Sequence, residues 1–121
     1  TGTDWETRDG SGIRDYIHVW DLARAHLAAL NLLRSTKGGG YEVINVGTGS
    51  GVTVRELLEA AQRVLGVTVK SVEGDRRPGD VIGGYAITNK AEEILGWSSI
   101  YSLEQGIEDA AKWAAVLPRV L

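Results

Sequence analysis

An α/β domain in which short strands alternate with helices is the fold class this sequence predicts, on three observations. Two segments, Thr53-Val54-Arg55-Glu56 and Ser102-Leu103-Glu104-Gln105, have the form of a capping box. In each, a hydroxyl accepts from the backbone N–H three residues on, and that residue's side chain reaches back to the cap. Apolar residues then recur at helical spacing: Leu57, Leu58, Ala61, Val64 and Leu65 after the first box, closed by Gly66. Between the helices lie short runs rich in β-branched residues, bounded by glycine-containing turns.

In chain order, residues 1–13 are polar, with a turn at 9–12, and residues 16–19 read as a first short strand. Asp21 is placed to cap a helix carrying Leu22, Ala25, Ala29 and Leu32, which ends before Gly38-Gly39-Gly40. Residues 41–46 read as a second strand, followed by the glycine-rich loop 47–51 and the helix of the first capping box. Residues 67–72 alternate apolar and polar as a half-buried strand does. A charged loop at 75–80 and an extended piece around 85–87 lead to a helix from about 89 to 95. The second box opens a last helix to about Val116, before Pro118. The sequence has no internal repeat, low-complexity tract or linker.

With 121 residues the chain can form one small domain around a single core. Its net charge of −3 gives no basic excess to attract nucleic acid or an anionic membrane, so any phosphate must be held by a local site. The absence of cysteine excludes a disulfide framework and fits a reducing cytoplasm. The most apolar stretch, residues 22–33, is interrupted by Arg24, His26 and Asn31 and falls short of the ~20 apolar residues of a membrane span. The polar first residues do not resemble a secretory signal. The sequence contains no methionine, so it shows no translation start, and a piece of a longer protein is expected.

The loop Gly47-Thr48-Gly49-Ser50-Gly51, between a strand and a helix, imitates a dinucleotide-binding turn. The fingerprint requires another glycine three residues after Gly49, and that position is Val52, although Glu73 stands near where a ribose-binding acid belongs. Lining another ligand and forming a structural turn both remain open for it. The Asp75–Asp80 loop is chemically more specific. Arg76 and Arg77 precede a Pro-Gly turn, and Asp80 follows Arg77 by three. A guanidinium donates two parallel bonds to one phosphate, and a carboxylate accepts from ribose hydroxyls, so one loop can read both parts of a nucleotide. A solvated charged turn has the same composition. Arg14 is a candidate second phosphate clamp, and Asp15 either pairs with an arginine or satisfies backbone donors. His18 and His26 share no cluster of metal-ligating residues, and His18 with Trp5, Trp20, Trp97 and Trp113 is expected to pack.

Together these stretches resemble the extended short-chain dehydrogenase/reductase superfamily over nearly the whole chain, and within it the UDP-glucose 4-epimerase family. The resemblance is carried by residues 9–23 (DGSGIRDYIHVWDLA), by Asn45-Val46-Gly47-Thr48-Gly49 with Thr53-Val54, and by Arg76-Arg77-Pro78-Gly79-Asp80. Lys90-Ala91 and Leu95-Gly96-Trp97 complete it. It implies a small C-terminal substrate-binding domain. An amino-terminal Rossmann domain would hold NAD, and a Tyr-x-x-x-Lys pair would serve hydride transfer through a 4-keto intermediate. It implies that Arg14 and Arg77 contact the UDP diphosphate, that Asp80 contacts a ribose hydroxyl, and that Tyr16 and Val54 line the nucleotide site, Val54 near uracil. It also implies a homodimer paired largely through the amino-terminal half.

Four residues after Tyr16, Tyr41, Tyr85 and Tyr101 stand Trp20, Asn45, Asn89 and Gln105, so none of these tyrosines begins a Tyr-x-x-x-Lys pair. The 121 residues alone are therefore expected not to epimerise a UDP-sugar, any UDP binding by them is expected to be weak, and no catalytic or cofactor-binding residue is assigned to them. Another nucleotide-sugar epimerase or dehydratase of the superfamily, or a non-catalytic nucleotide-binding module, remains an alternative.

Overall fold

The computed structural model describes residues 2–38 and 40–117. Two short strands and four helices follow in the order β1 (Ile13–Arg14), α1 (Val19–Ser35), β2 (Val52–Thr53), α2 (Val54–Leu65), α3 (Asn89–Leu95) and α4 (Leu103–Val116). The α/β class holds, and so do the four helices. Both capping boxes are formed: Thr53 and Ser102 accept from the N–H of Glu56 and Gln105, whose side chains return to the cap. Of the expected helix-stop residues, Gly39 and Pro118 lie outside the described residues.

The strands differ from expectation. β1 and β2 pair antiparallel, with Ile13 opposite Thr53 and Arg14 opposite Val52. β1 lies at 13–14, not 16–19, because residues 15–18 turn away from the ladder to enter α1. Residues 41–46 and 67–72, expected as strands, carry no ladder among the described residues. Alternation marks a segment suited to half-burial, but a strand also needs a partner for its backbone groups. Here Val43, Val67, Val69 and Val72 are exposed instead.

Asp21 does not cap α1. His18 does, its Nδ1 accepting from the N–H of Trp20 at 3.0 Å. Asp21, fully buried in the first turn, accepts through its carboxylate from the N–H groups of Ile100 and Tyr101, the latter at 3.1 Å, and from Arg24 at 2.7 Å. Its carbonyl accepts from Trp97 Nε1 at 3.0 Å. A buried carboxylate is tolerated only when so fully paired. It fastens α1 to the 97–101 segment around a core of Ala25, Ala91 and Trp97, with Ile17, Ile44, Val46 and Leu95 packed against it. α2 lies against α4 around the buried Ala60, with Arg63 and Glu104 paired at 2.9 Å. No helix among the described residues is long and apolar enough to cross a membrane.

Candidate functional site

Ile13 gathers the candidate residues. On one side it pairs with Thr53, and beside it the N–H of Val54 donates to Gly12 O at 3.0 Å, which fixes the start of α2. On the other side its N–H donates to Ile82 O at 2.9 Å, and it forms a parallel bridge with Gly83. β1 is thus flanked by the residues leading into α2 and by the segment that follows the arginine loop. Arg14 follows a residue that is bonded both to the approach to Val54 and to the segment leaving the 77–80 turn. The Arg14 guanidinium folds back, Nη1 donating to Ile13 O at 2.6 Å. It lies over Gly12 and Gly83, where a β-carbon would stand 3.2 Å and 2.6 Å from Nη1.

The arginine loop closes through the Asp80 N–H, which donates to Arg77 O at 3.0 Å. Asp80 Oδ2 accepts from the Arg77 N–H at 3.3 Å and from Arg77 Nε at 3.4 Å. Partial burial works to raise the Asp80 pKa, but the Arg77 amide and the positive charges of Arg77 and Arg14 outweigh it and hold the carboxyl below its ordinary value. One carboxylate therefore lies in the field of both arginines assigned to a diphosphate.

Arg76 and Arg77 do different things. Arg76 donates through Nε to the Asp4 carboxylate at 2.7 Å and through Nη2 to Asp4 O at 2.6 Å, and its guanidinium lies 3.7 Å over the Trp5 ring. It staples the loop to the first residues of the chain. The Arg77 side chain is 72% exposed and engages only Asp80 among the described residues, leaving most of its donors facing solvent. Guanidinium donors held in place but unspent are what an incoming phosphate requires.

Tyr16 is turned toward a different surface. It lines an open apolar groove of about 990 Å³ with Leu57, Leu103, Ile107 and Trp113, and burial raises its hydroxyl pKa while the Arg14 charge opposes the rise. Leu57 lies one helical turn from Val54, so the groove opens beside the end of α2 that carries Val54. Trp20 and Trp113, expected to pack, are 62% and 64% exposed on this groove. His18 and Trp97 are buried as expected, the His18 ring stacked on Tyr101 at 4.4 Å.

The glycine loop is held by a carboxylate of the chain itself. Asp15 Oδ1 accepts from the Thr48 N–H at 2.8 Å and the Thr48 hydroxyl at 2.7 Å, and Oδ2 accepts from the Ala86 N–H at 3.0 Å. A β-carbon on Gly47 would collide with this carboxylate and stand 2.7 Å from the Ala86 β-carbon. The Asp15 carboxylate takes both Thr48 donors, the Ser50 N–H turns to Thr48 Oγ1, and the first turn of α2 is capped by Thr53 and Glu56.

The sequence profile of the NAD dependent epimerase/dehydratase family matches residues 4–47, the stretch containing β1 and α1. The UDP-glucose 4-epimerase GEPI48 of Cyamopsis tetragonoloba is 45% identical over 117 residues, which are 97% of this chain and 33% of that protein. Among solved structures, the UDP-glucose 4-epimerase of Bifidobacterium longum in complex with NAD+ and UDP superposes with a TM-score of 0.90 at 36% identity, covering 99% of this chain and 35% of that one. This chain is similar to the C-terminal portion of UDP-glucose 4-epimerases. The UDP-glucose-4-epimerase of Stenotrophomonas maltophila, with bound NAD and formylated UDP-arabinopyranose, gives a TM-score of 0.91 at 38% identity over 99% of this chain and 35% of that one. The chain spans about a third of the length of these epimerases.

Two features of the epimerase-like corner escape sequence reasoning. The segment 82–84 that carries the arginine loop to Ile13 is made only of aliphatic residues and glycine, and no periodicity distinguishes it from a turn. The separation of Arg76 from Arg77 depends on Asp4 and Trp5, more than seventy residues away, and the identical side chains give no signal of it.

Proposed function

We propose that this chain is the UDP-binding portion of an NAD-dependent UDP-glucose 4-epimerase, an isomerase that interconverts UDP-glucose and UDP-galactose. The observation that carries the reading is the Arg77–Asp80 turn, bonded within itself and carried by residues 82–84 to Ile13, beside Arg14, whose charge also acts on Asp80. In this reading the two guanidiniums grip the diphosphate and Asp80 accepts from a ribose hydroxyl. Val54 packs near uracil, and Tyr16 closes the side of the site where the apolar groove begins. A charge clamp on the diphosphate supplies binding energy remote from the reacting carbon and leaves the hexose free to present either face.

NAD and the catalytic Tyr-x-x-x-Lys pair belong, in this proposal, to an amino-terminal Rossmann domain outside these residues. The homodimer contact and part of the sugar pocket lie there too. The poor fit of the glycine loop to a dinucleotide and the residues four places after each tyrosine support that division. By itself the chain then binds UDP but does not epimerise it, and the lack of cysteine suits a cytoplasmic enzyme. A second reading, an epimerase for another UDP-sugar, is favoured by the pentose nucleotide in the Stenotrophomonas maltophila structure. The clamp described above engages the UDP moiety and is indifferent to the hexose.

Titration calorimetry with UDP tests the proposal. Binding to the 121-residue chain is expected to be weaker than micromolar, and Arg77→Ala is expected to lower it roughly tenfold, the effect of ~1.4 kcal/mol for a charge-assisted bond. In a full-length epimerase carrying this chain, Arg77→Ala should raise KM for the UDP-sugar while NAD content is unchanged. An unchanged KM would sink the assignment of Arg77, and micromolar or tighter binding to the chain alone would sink the division of the pocket.

A further inference from the structure

Asp15 lies between Arg14 and Tyr16 in the sequence, but its carboxylate does not join them on the surface. It turns inward and accepts from three donors on two distant segments: the Thr48 N–H and hydroxyl at 2.8 and 2.7 Å, and the Ala86 N–H at 3.0 Å. Thr48 belongs to the glycine loop that runs into Val52, Thr53 and Val54. Ala86 belongs to the segment that begins at the Arg77–Asp80 turn and passes Ile13 at residues 82–84. Asp15 itself follows Arg14. One carboxylate thus ties together the three pieces of chain that carry Val54, Arg77 with Asp80, and Arg14.

We infer that Asp15 is the positioning residue of the nucleotide clamp, setting the distance between Arg14 and the Arg77–Asp80 turn without touching the nucleotide itself. This rests on the UDP-binding reading above. The β1–β2 ladder is only two residues long on each strand, and the contact of β1 with the 82–84 segment is a single bridge. So short an assembly does not fix the clamp by backbone pairing alone. The Asp15 ties add restraints on both flanks, and the missing side chain at Gly47 leaves the room the carboxylate occupies. Close positioning of this kind governs binding of a rigid diphosphate, since each guanidinium must meet the same anion.

An isosteric amide is the discriminating substitution. Every group facing the Asp15 carboxylate is a donor, and asparagine has one acceptor oxygen and an NH₂ in place of the other. Asp15→Asn must therefore set its NH₂ against either the Thr48 or the Ala86 N–H and release that segment. Ser102→Ala serves as the comparison. It removes the cap of α4, on the groove that Tyr16 also lines but without a bond to Arg14, Arg77 or Asp80.

The test is an NMR titration of UDP into the 121-residue chain, into Asp15→Asn and into Ser102→Ala, at a temperature where thermal melts show all three folded. The wild-type chain is expected to give saturable shifts at the Arg14 and Arg77 Nε–H groups and the Val54 amide. Asp15→Asn is expected to displace the free-state Thr48 or Ala86 amide resonance and to weaken UDP binding at least tenfold, while Ser102→Ala stays within twofold of wild type. Should Asp15→Asn bind UDP within twofold of wild type, the positioning role is overturned and the UDP reading stands. Equal weakening in Ser102→Ala would reduce Asp15 to general stability and overturn it likewise. No saturable shift in the wild-type chain would remove the UDP reading, and this inference with it. If Asp15→Asn does not fold, Thr48→Val removes the hydroxyl tie to Asp15, with the hydroxyl's local contacts to Ser50, and keeps the N–H tie. A threefold loss of affinity is then expected, and unchanged affinity overturns the role.

Discussion

Gly83 lies flat against Ile13, and a β-carbon on it would overlap the Ile13 carbonyl oxygen and stand 2.7 Å from the carbonyl carbon. Its φ of 114° is a conformation that side-chain-bearing residues rarely adopt. Steric overlap and backbone strain act together, so Gly83→Ala should cost about 2–4 kcal/mol. The same bridge carries the Arg77–Asp80 turn to Arg14, so the variant should also lose UDP binding at temperatures where it is still folded. Urea denaturation followed by a UDP titration checks both parts. A stability change under ~0.5 kcal/mol would mean that the backbones do not meet this closely.

The adjacent arginines should separate by experiment. Arg76→Ala removes a cation–π contact with Trp5 and an ion pair with Asp4, together worth about 1–2 kcal/mol. It should shift the Trp5 indole resonance and leave UDP affinity near that of wild type. Arg77→Ala should do the reverse, with stability within ~0.5 kcal/mol because the side chain is 72% exposed. Equal effects on UDP affinity from both variants would mean that the phosphate is held by the loop's general charge.

The helices were legible because their signals are local. Each capping box and apolar stripe lies within one element, and Thr53, Ser102 and Gly66 mark boundaries that the structure keeps. The strands were not, because residues 41–46 and 67–72 show strand-like composition without a pairing neighbour among the described residues, and sequence alternation says nothing about neighbours. The N-cap of α1 was misread for a related reason. Asp21 is a better cap than histidine by preference, but its carboxylate is claimed by Ile100 and Tyr101, about eighty positions away. For the site, motif order picked out Arg14, Val54, Arg77 and Asp80, and the fold links the segments that carry them through Ile13. Tyr16 was picked out too, yet its orientation toward the groove depends on α4, which the motif does not contain.

The two capping boxes should not be equally costly to remove. Ser102 is exposed, and water can replace part of its bond, so Ser102→Ala should cost about 1 kcal/mol. Thr53 is fully buried, and its hydroxyl also bonds the Asp9 carboxylate. Thr53→Ala therefore strips a cap and leaves a part-buried carboxylate without one donor, which should raise the loss to about 2–3 kcal/mol. Comparing urea midpoints at a common m-value decides the order. A larger loss at Ser102 would contradict the burial described for Thr53.

Acid should weaken the start of α2 before it unfolds the rest. The Arg8 guanidinium, followed by the Thr53 N–H, holds the Glu56 carboxyl at about 2, against an ordinary value of 4.5. Since the folded value lies below the unfolded one, the contribution of Glu56 is fully present above pH 4.5 and is lost as pH falls from there toward 2. Asp9 acts in the same direction: burial opposes its ionisation, but bonds from Thr53 and Ser11 outweigh that and lower its pKa. The Arg8 and Glu56 side chains are 49% and 40% exposed, so solvent screening keeps the contribution of the pair small. Arg8→Ala should therefore be modestly less stable than wild type at pH 7, with the difference shrinking below pH 4.5 and small at pH 2. Denaturant unfolding of both proteins across that range measures it. A gap that stays constant down to pH 2 would show that Arg8 stabilises the fold by packing and its bond to Gly51 O, not through the charge on Glu56.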